Sequence, residues 1–265
     1  MEPAMLLPPD KPETLYSVVV ELAAADKGYI SATLSRALHS MVMNWLKLGN
    51  PQIADQIHVS QASPLSLSGL LGNRRRGGVK PGDTFYCRIG LLDGSLLPVL
   101  LSGIEAWGTE PLVLAKFPFV LRTIYTLPGT HRLVSAADYR LLVTTPQMSK
   151  DIELRFLSPT SFKQSQGIQT FPLPELVFGS LWRRWNSFAP EELRFPEVEW
   201  QGLVAAYELK TYALKMEGGA EIGAQGWVRY RFREPEQIKV ATILSHFAFF
   251  SGVGRKTSMG MGQIQ

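Results

Sequence analysis

The spacing of hydrophobic residues predicts alternating strands and helices along the chain. Thr14–Leu22 is rich in β-branched and aromatic residues, which is typical of a strand. In Ser31–Leu48 the apolar residues recur at three- and four-residue steps, which predicts an amphipathic helix. Asn50 and Pro51 have the residue types of an N-cap and a first helical turn. A short second helix is therefore predicted from Pro51 to about His58.

The same patterns predict the remaining elements and a repeated order. Ser158-Pro159 is expected to end a strand, and Leu127–Val134 is a plausible boundary between two halves. The order in each half predicts an α+β fold of two βαββαβ units, residues 1–134 and 135–265, each an antiparallel sheet with two helices. The strands are predicted at Thr84–Leu92, Leu112–Thr126, Ile152–Leu157, Val198–Met216 and Ala224–Arg233, and the helices at Leu96–Trp107, Glu175–Ser187 and Pro235–Phe250.

Composition narrows the class of protein. The chain has 265 residues, of which 45% are hydrophobic and 19% charged, so it can bury a sizeable core and is not disordered throughout. Cys87 is the single cysteine, which excludes an internal disulfide framework and a Cys-rich zinc site. The net charge of +4 permits an anionic partner without requiring one. No signal peptide or membrane span is expected, so we predict a cytoplasmic protein.

The strongest local motif is the sequence GVGRKTSMGMG at residues 252–262, called here the glycine segment. Two Gly-apolar-Gly pairs flank a polar insert that contains Arg255 and Lys256. Glycines permit positive φ and close backbone approach, and their N–H groups can face phosphate oxygens. A P-loop is disfavoured because Arg255 separates the glycine from the lysine and a helix precedes the segment. A plain glycine-rich turn and a family signature remain as interpretations.

The glycine segment resembles the glycine-rich loop of the RAMP superfamily of CRISPR-associated RNA-binding proteins. Within that superfamily the chain is similar to the repeat-processing endoribonucleases, the Cas-six family, over nearly its whole length. The other segments that carry the resemblance are Asn50–His58, a short second helix that ends in histidine; Pro64–Gly72, the strand after it; and Phe156–Phe162, Pro172–Pro174 and Leu181–Trp185, the opening of the second half.

The resemblance implies two tandem ferredoxin-like (RRM-like) domains and metal-independent cleavage of repeats in precursor CRISPR RNA to make guide RNAs. In such enzymes the ribose 2′-hydroxyl attacks the adjacent phosphate and leaves a 2′,3′-cyclic phosphate and a 5′-hydroxyl. The resemblance implies that no cofactor is needed. The partners that it implies are repeat RNA, guide RNA and other Cas effector-complex subunits. It also leads us to expect a last strand after the glycine segment. Two alternatives to an endoribonuclease remain. One is a RAMP-fold subunit that caps guide RNA without cutting it, and the other is an unrelated two-domain protein whose glycine segment is only a turn.

Histidine suits either proton transfer in this reaction because its ordinary pKa lies near working pH. His58 matches the family's catalytic histidine, although a helix-end histidine also interacts well with the helix C-terminus. His39 lies away from the core stripe of the first helix and shares its face with Lys47, so His58, His39 and Lys47 are the predicted catalytic residues. Pro64 and Met43 stand where some members of the family carry lysine and tyrosine.

The other two histidines, His131 and His246, are expected to be structural, His246 as a core residue. No metal site is predicted, because no cluster of histidine, cysteine and carboxylate residues has ligand spacing.

Basic segments supply the predicted RNA-binding surface, since arginine suits phosphate. Trp227 and Tyr230 are predicted stacking groups beside two arginines that alternate along one strand. Arg183 and Arg184 are further candidates for RNA contact. The predicted RNA-binding residues are Arg74, Arg75, Arg76, Gly252, Gly254, Arg255, Lys256, Gly260, Gly262, Arg229 and Arg231.

Overall fold

A computed structural model of the chain describes residues 11–30, 34–73, 77–216 and 219–265. Two antiparallel sheets, each backed by helices, follow one another along these residues, and a short hairpin lies apart from both. The hairpin consists of β8 (Phe162–Gln164) and β9 (Gly167–Gln169). There are also 3₁₀ turns at Glu191–Leu193 and Thr257–Met259.

The first sheet has the strand order β2–β3–β1–β5–β4, and β6 pairs with the start of β1. Every pairing is antiparallel, and the β4–β5 hairpin takes the place of the fourth strand of a ferredoxin-like βαββαβ unit. The strands are β1 (Thr14–Ala24), β2 (Leu65–Leu67), β3 (Thr84–Leu91), β4 (Leu112–Leu114), β5 (Phe117–Tyr125) and β6 (Ser135–Asp138).

Three helices belong to the first sheet: α1 (Ser35–Gly49), α2 (Pro51–Val59) and α3 (Leu96–Trp107). The side chain of Asn50 accepts hydrogen bonds from the N–H groups of the second and third residues of α2, at 3.1 and 3.2 Å. This cap confirms the predicted start of α2 and explains the sharp turn between the first two helices. The apolar stripe of α1, which includes Leu38, Val42 and Trp45, is fully buried against the sheet.

The second sheet has the order β10–β11–β7, and residues 263–265 pair with the free edge of β7. The Leu157 N–H donates to the Gln263 carbonyl at 2.8 Å, and the Gln265 N–H donates to the Arg155 carbonyl at 3.1 Å. This last segment occupies the fourth-strand position of a second ferredoxin-like unit, where a strand after the glycine segment was expected. The elements are β7 (Asp151–Thr160), β10 (Leu203–Met216), β11 (Gly219–Arg231), α4 (Tyr139–Thr144), α5 (Pro174–Phe188) and α6 (Pro235–Ser251).

The two units pack closely against each other. The hydroxyl of Ser66 in β2 donates to the carbonyl of Phe250 in α6 at 2.7 Å. A Cβ atom on Gly90 would lie 2.1 Å from the same carbonyl, so only glycine permits this approach. Arg88 is 2% exposed and donates to the side-chain oxygen of Gln263 at 3.0 Å, which links β3 to the last segment of the chain.

The predicted helices and most strands are confirmed, and the departures have physical causes. Ser158-Pro159 does not end a strand, and β7 continues to Thr160. The pairing with β11 is irregular beside Pro159, so no regular ladder hydrogen bond is lost there. The region Leu112–Thr126 is a hairpin rather than one strand, since Ala115 and Lys116 adopt positive φ at its turn. The sixth strand, β6, begins at Ser135 yet pairs with the first sheet, and the boundary at 134 and 135 stays a prediction.

Candidate active site and RNA-binding surface

The glycine segment is closed on itself and docked on the end of β7. The Val253 N–H donates to the Gly262 carbonyl at 2.9 Å, so the two Gly-apolar-Gly pairs lie side by side. The Gly262 N–H donates to the Pro159 carbonyl at 3.2 Å, and the Arg255 N–H donates to the Ser161 carbonyl at 3.0 Å. The Ser-Pro-Thr sequence at the end of β7 therefore holds the glycine segment in place.

The glycines of the segment are required by backbone geometry. All four glycines of the two pairs have positive φ, between +65° and +85°. A Cβ atom on Gly262 would lie 2.0 Å from the Val253 carbonyl oxygen. A Cβ atom on Gly260 would lie 2.7 Å from the hydroxyl of Ser35, the first residue of α1. The second glycine pair thus brings the segment against the start of α1.

Most of the glycine N–H groups are not free for phosphate, contrary to the expectation from sequence. The Gly252 N–H donates to the Ala248 carbonyl at 2.9 Å, and the Gly254 N–H donates to the Ser180 hydroxyl at 3.0 Å. Together with the bond from Gly262, these contacts hold the segment to the protein. The insert between the two pairs is the part of the segment that remains to contact a ligand.

Both cations of the insert contact one carboxylate, that of Glu221, which no sequence pattern indicated. Arg255 donates to Glu221 of β11 at 2.6 Å, and the Lys256 ammonium group donates to the other oxygen of the same carboxylate. Lys256, followed by Arg255, lowers the pKa of Glu221 below its ordinary value. The three side chains together leave one net positive charge at this place. Lys256 reaches its position with a left-handed backbone, at φ +55°.

The structure brings His39, His58 and the glycine segment together. His39 lies in the second turn of α1 and is half-buried, whereas His58 lies in the last turn of α2 and is exposed. The chain changes direction at Asn50, and the imidazoles of His39 and His58 are close enough to interact electrostatically. The backbone of Ser258, in the insert of the glycine segment, contacts the imidazole of His39.

The electrostatic setting of His39 differs from that of an exposed histidine. Burial lowers the pKa of His39, the Ser258 backbone opposes this effect, and the positive charge of His58 lowers the pKa further. The Nδ1 atom of His39 is buried and has no hydrogen-bond partner among the described residues. Burial and the charge of His58 outweigh the Ser258 contact and favour the neutral imidazole, which is the form able to accept a proton.

The other predicted catalytic residue, Lys47, is exposed in the last turn of α1. The helical rise places it about 12 Å along the axis from His39, so its backbone lies well away from the histidine pair. The predicted basic loop Arg74–Arg76 lies outside the described residues.

The two arginines of β11 share an exposed face, as predicted, but each is paired with a carboxylate of β7. Arg229 donates to Glu153 at 2.9 Å, and Arg231 donates to Asp151 at 2.7 Å. The guanidinium of Arg229 also lies 5.9 Å from the ring centre of Trp227.

Tyr230 and His246 lie in environments different from those predicted, whereas the surroundings of His131 agree with the prediction. Tyr230 was predicted to stack on RNA, but it lies on the opposite face of β11, is fully buried and donates to the Pro172 carbonyl at 2.8 Å. His246 was predicted to be a core residue, and it is exposed on α6 instead. His131 has ring contacts with Tyr86 and Tyr125, which agrees with a structural role.

Among the described residues no group of three or more histidine, cysteine or carboxylate side chains is placed to hold a metal ion. Within the same ranges no helix is both long and apolar enough to cross a membrane.

Comparison with known proteins points to one family. Residues 154–264 match the family model described as CRISPR-associated endoribonuclease Cas6. A Cas6 endoribonuclease of Mycobacterium tuberculosis is 31% identical over 137 residues, which are 48% of this chain and 41% of that protein. A Cas6 endoribonuclease of Streptococcus thermophilus is 27% identical over 119 residues, or 42% of this chain and 48% of that protein. The chain thus spans less than half the length of these relatives.

Solved structures extend the similarity over the whole fold. A Cas6 product complex (TTHB231, a protein of Thermus thermophilus) superimposes with a TM-score of 0.81 at 25% identity, covering 95% of this chain and 98% of that chain. A second Cas6 product complex (TTHA0078) gives a TM-score of 0.74 at 27% identity, with the same coverage of 95% and 98%. The tandem ferredoxin-like architecture described above is therefore shared with these structures.

Proposed function

We propose that the chain belongs to the Cas6 family of CRISPR-associated endoribonucleases and that it cuts repeat sequences in precursor CRISPR RNA to release guide RNAs; similarity in sequence and in fold supports this proposal. The observation that carries this proposal is the coupling of His39 to His58 beside Ser258 of the glycine segment. Two histidines in this arrangement supply the two proton transfers that cleavage of a phosphodiester requires. Structures of family members in product and substrate-mimic complexes support RNA as the ligand.

The proposed reaction is an internal transesterification that needs no metal ion. The ribose 2′-hydroxyl loses its proton to a base and attacks the adjacent phosphorus, and the bond from phosphorus to the 5′-oxygen breaks. An acid donates a proton to the departing 5′-oxygen. The products are a 2′,3′-cyclic phosphate and a 5′-hydroxyl, so atoms and charge balance without a co-reactant.

We assign the base to His39 and the acid to His58. Burial lowers the pKa of His39, which favours its neutral form, and His58 is the more exposed of the two histidines. A neutral imidazole accepts the proton of the 2′-hydroxyl, and a protonated imidazole donates to the leaving oxygen. Lys47 is assigned to attraction of the RNA backbone rather than to proton transfer, because of its distance along α1.

The experiment uses end-labelled repeat RNA with purified protein in EDTA, with His39→Ala, His58→Ala and a 2′-deoxy substitution at the cut site. Site-specific cleavage that survives EDTA and stops with the deoxyribose is expected. Each histidine variant should lower the single-turnover rate by roughly 10²–10⁴-fold. Mass spectrometry of the product distinguishes a cyclic from a linear phosphate.

His246→Ala is the matched control, since His246 is an exposed histidine on α6 and should leave the rate unchanged. Tight binding of repeat RNA without any cleavage by the wild-type protein would overturn the enzyme assignment. It would favour a subunit that caps guide RNA within an effector complex.

A further inference from the structure

A cavity lies close to the histidine pair. Its volume is about 290 Å³, and its walls come from the loop after α2, from the start of the β8–β9 hairpin, from α5 and from the glycine segment. The loop residues Gln61–Ser63 begin three positions after His58, and Arg255 precedes Ser258 by three positions. Three residues span at most about 11 Å, so the cavity borders the proposed cleavage site.

The cavity is cationic. Lys163, Arg183, Arg184 and Arg255 line it, and no carboxylate does. Arg255 is paired with Glu221, whereas the other three cations have no carboxylate within ion-pair distance among the described residues. Lys163 and Arg183 are exposed and available to a ligand. Positive charges gathered around a concave surface focus the field there and attract an anion.

One of these cations is fixed in place by the protein. Arg184 donates to the Leu65 carbonyl at 2.8 Å, to the Ser63 carbonyl at 3.1 Å and to the hydroxyl of Thr257 in the glycine segment. Its Nε atom is buried without a hydrogen-bond partner among the described residues. Burial lowers the pKa of Arg184 to about 10. A guanidinium held this way contributes a fixed positive charge to the cavity wall, so little conformational entropy is lost when an anion binds beside it.

The helix α5 presents a polar stripe to the cavity. Ser180, Arg183, Arg184 and Ser187 recur at three- and four-residue steps, which places them on one side of the helix. The adjoining side of α5, with Val177, Leu181 and Trp185, is fully buried in the second core. Ser180 also accepts the Gly254 N–H, so the stripe is joined to the glycine segment. Two of the four cations of the cavity, Arg183 and Arg184, are thus carried by α5.

We propose that this cavity binds one backbone phosphate of the RNA strand, a few nucleotides from the bond that is cut. The inference rests on the proposed function and adds a positioning site to it. The volume is close to the lower limit of ligand pockets, roughly 300 Å³, which suits one nucleotide unit and not a duplex. Lys163 and Arg183 contact the phosphate, and Arg184 fixes the shape and charge of the cavity wall.

The test replaces the phosphates of a repeat RNA one at a time by neutral methylphosphonates. The RNA carries a 2′-deoxy substitution at the cut site, so binding is measured without cleavage. One position near the cut site should weaken binding to the wild-type protein by about tenfold or more. The same substitution should have little further effect on the double variant Lys163→Gln, Arg183→Gln. Both changes are at exposed positions, so the fold should persist.

Lys239→Gln is the control, because Lys239 is an exposed cation on α6 that does not line the cavity. It should keep the full effect of the methylphosphonate. The inference is overturned if every methylphosphonate weakens the double variant and the wild type alike. Protein that binds but does not cut would refute the proposed function while leaving this comparison intact.

A second arm separates an RNA phosphate from free phosphate. Inorganic phosphate is titrated into wild-type protein and into the double variant while thermal stability is followed. Stabilisation of the wild type alone, with no position-specific methylphosphonate effect, would show a site for free phosphate and would overturn the assignment to RNA.

Discussion

The backbone of Gly103 in α3 lies directly against the carbonyl group of Trp45 in α1: a Cβ atom on Gly103 would be 1.6 Å from that oxygen. Gly49 makes the reciprocal approach, since its Cβ would lie 2.0 Å from the Val99 carbonyl oxygen. Two glycines therefore set the separation between α1 and α3. Because α1 carries His39, this helix contact also sets the position of the proposed base.

Gly103→Ala should consequently destabilise the protein and displace α1. Overpacking of a close contact typically costs 1–3 kcal/mol, and the free energy of unfolding from urea titration should fall by about that amount or more. Ser102→Ala changes the exposed neighbouring position on the same helix and should have little effect. Equal stability of the two variants would show that the helices separate without cost.

The pKa of His39 provides a pH-dependent prediction. Burial and the charge of His58 place this pKa below the ordinary value of 6.5. A base must be unprotonated, so a lowered pKa preserves cleavage at more acidic pH, and the acidic limb of the pH–rate profile should lie below 6.5. His58→Gln removes one cause of the lowering and should raise the pKa of His39. NMR titration of the His39 ring measures this without reliance on activity.

The same shift affects stability with a definite sign. The folded protein disfavours protonation of His39, so the contribution of this group is fully present above the unfolded pKa and is lost as the pH falls toward the folded value. The pKa of His131 is lowered as well. The test therefore measures the free energy of unfolding of His39→Gln and of His131→Gln as the pH falls from above the unfolded pKa toward the folded pKa. A His39 pKa that is unchanged in His58→Gln would contradict the proposed coupling.

Removal of the Glu221 carboxylate should strengthen RNA binding. Glu221→Gln keeps the size of the side chain and releases Arg255 and Lys256 from their shared partner, which raises the local net charge from one to two. Affinity for repeat RNA at low salt should rise severalfold, and its decrease with added salt should steepen by roughly 0.7 in slope if one further phosphate is contacted.

Glu153→Gln is the comparison for this prediction, because Glu153 pairs with Arg229 on the exposed face of the second sheet. A smaller change than in Glu221→Gln would place the main RNA contact at the glycine segment. An equal or larger change would place it on the sheet face, and a loss of affinity in Glu221→Gln would show that the carboxylate mainly orders the segment.

Gly260→Ala tests the contact between the glycine segment and α1. Gly260 has φ +85°, and its Cβ would meet the Ser35 hydroxyl at 2.7 Å. The added methyl group should destabilise the protein by about 1–2 kcal/mol. It should also slow cleavage by protein that is still folded, because Ser258 moves away from His39. Gly167→Ala, where the space around the Cβ is open, is the control in single-turnover assays.

The sequence predicted much of the fold because its apolar periods are unambiguous. The helices α3 and α6 were predicted to within one residue, since Trp107 precedes a glycine and Pro235 marks a helix start. The end of β7 was predicted wrongly because Pro159 was interpreted as a strand breaker. Pro159 lies where the pairing of β7 with β11 is irregular, between the pairs Phe156–Gly226 and Thr160–Ala224, and residues 263–265 pair with the other side of β7. Both features are long-range properties that a local pattern does not contain.

The candidate site was predictable only in part. The motif around His58 and the helix face of His39 singled out both histidines, but their coupling depends on the packing of α1, α2 and the glycine segment. Glu221 and Lys163 carry no local signal, because single charged residues near strand ends are common. His246 was predicted to be buried because its neighbours in sequence are apolar. Its side chain nevertheless lies on the exposed face of α6.

The contact between Ser258 and His39 joins residues from opposite ends of the chain, and this has a consequence for the order of assembly. Contacts between distant residues form after loop closure, so the environment of His39 should be among the last features to arise in folding. Gentle heating or dilute denaturant should reverse that order and release the glycine segment first. The protein is then expected to lose activity while Trp45 and Trp185 are still buried, with enzymatic inactivation preceding the change in tryptophan fluorescence.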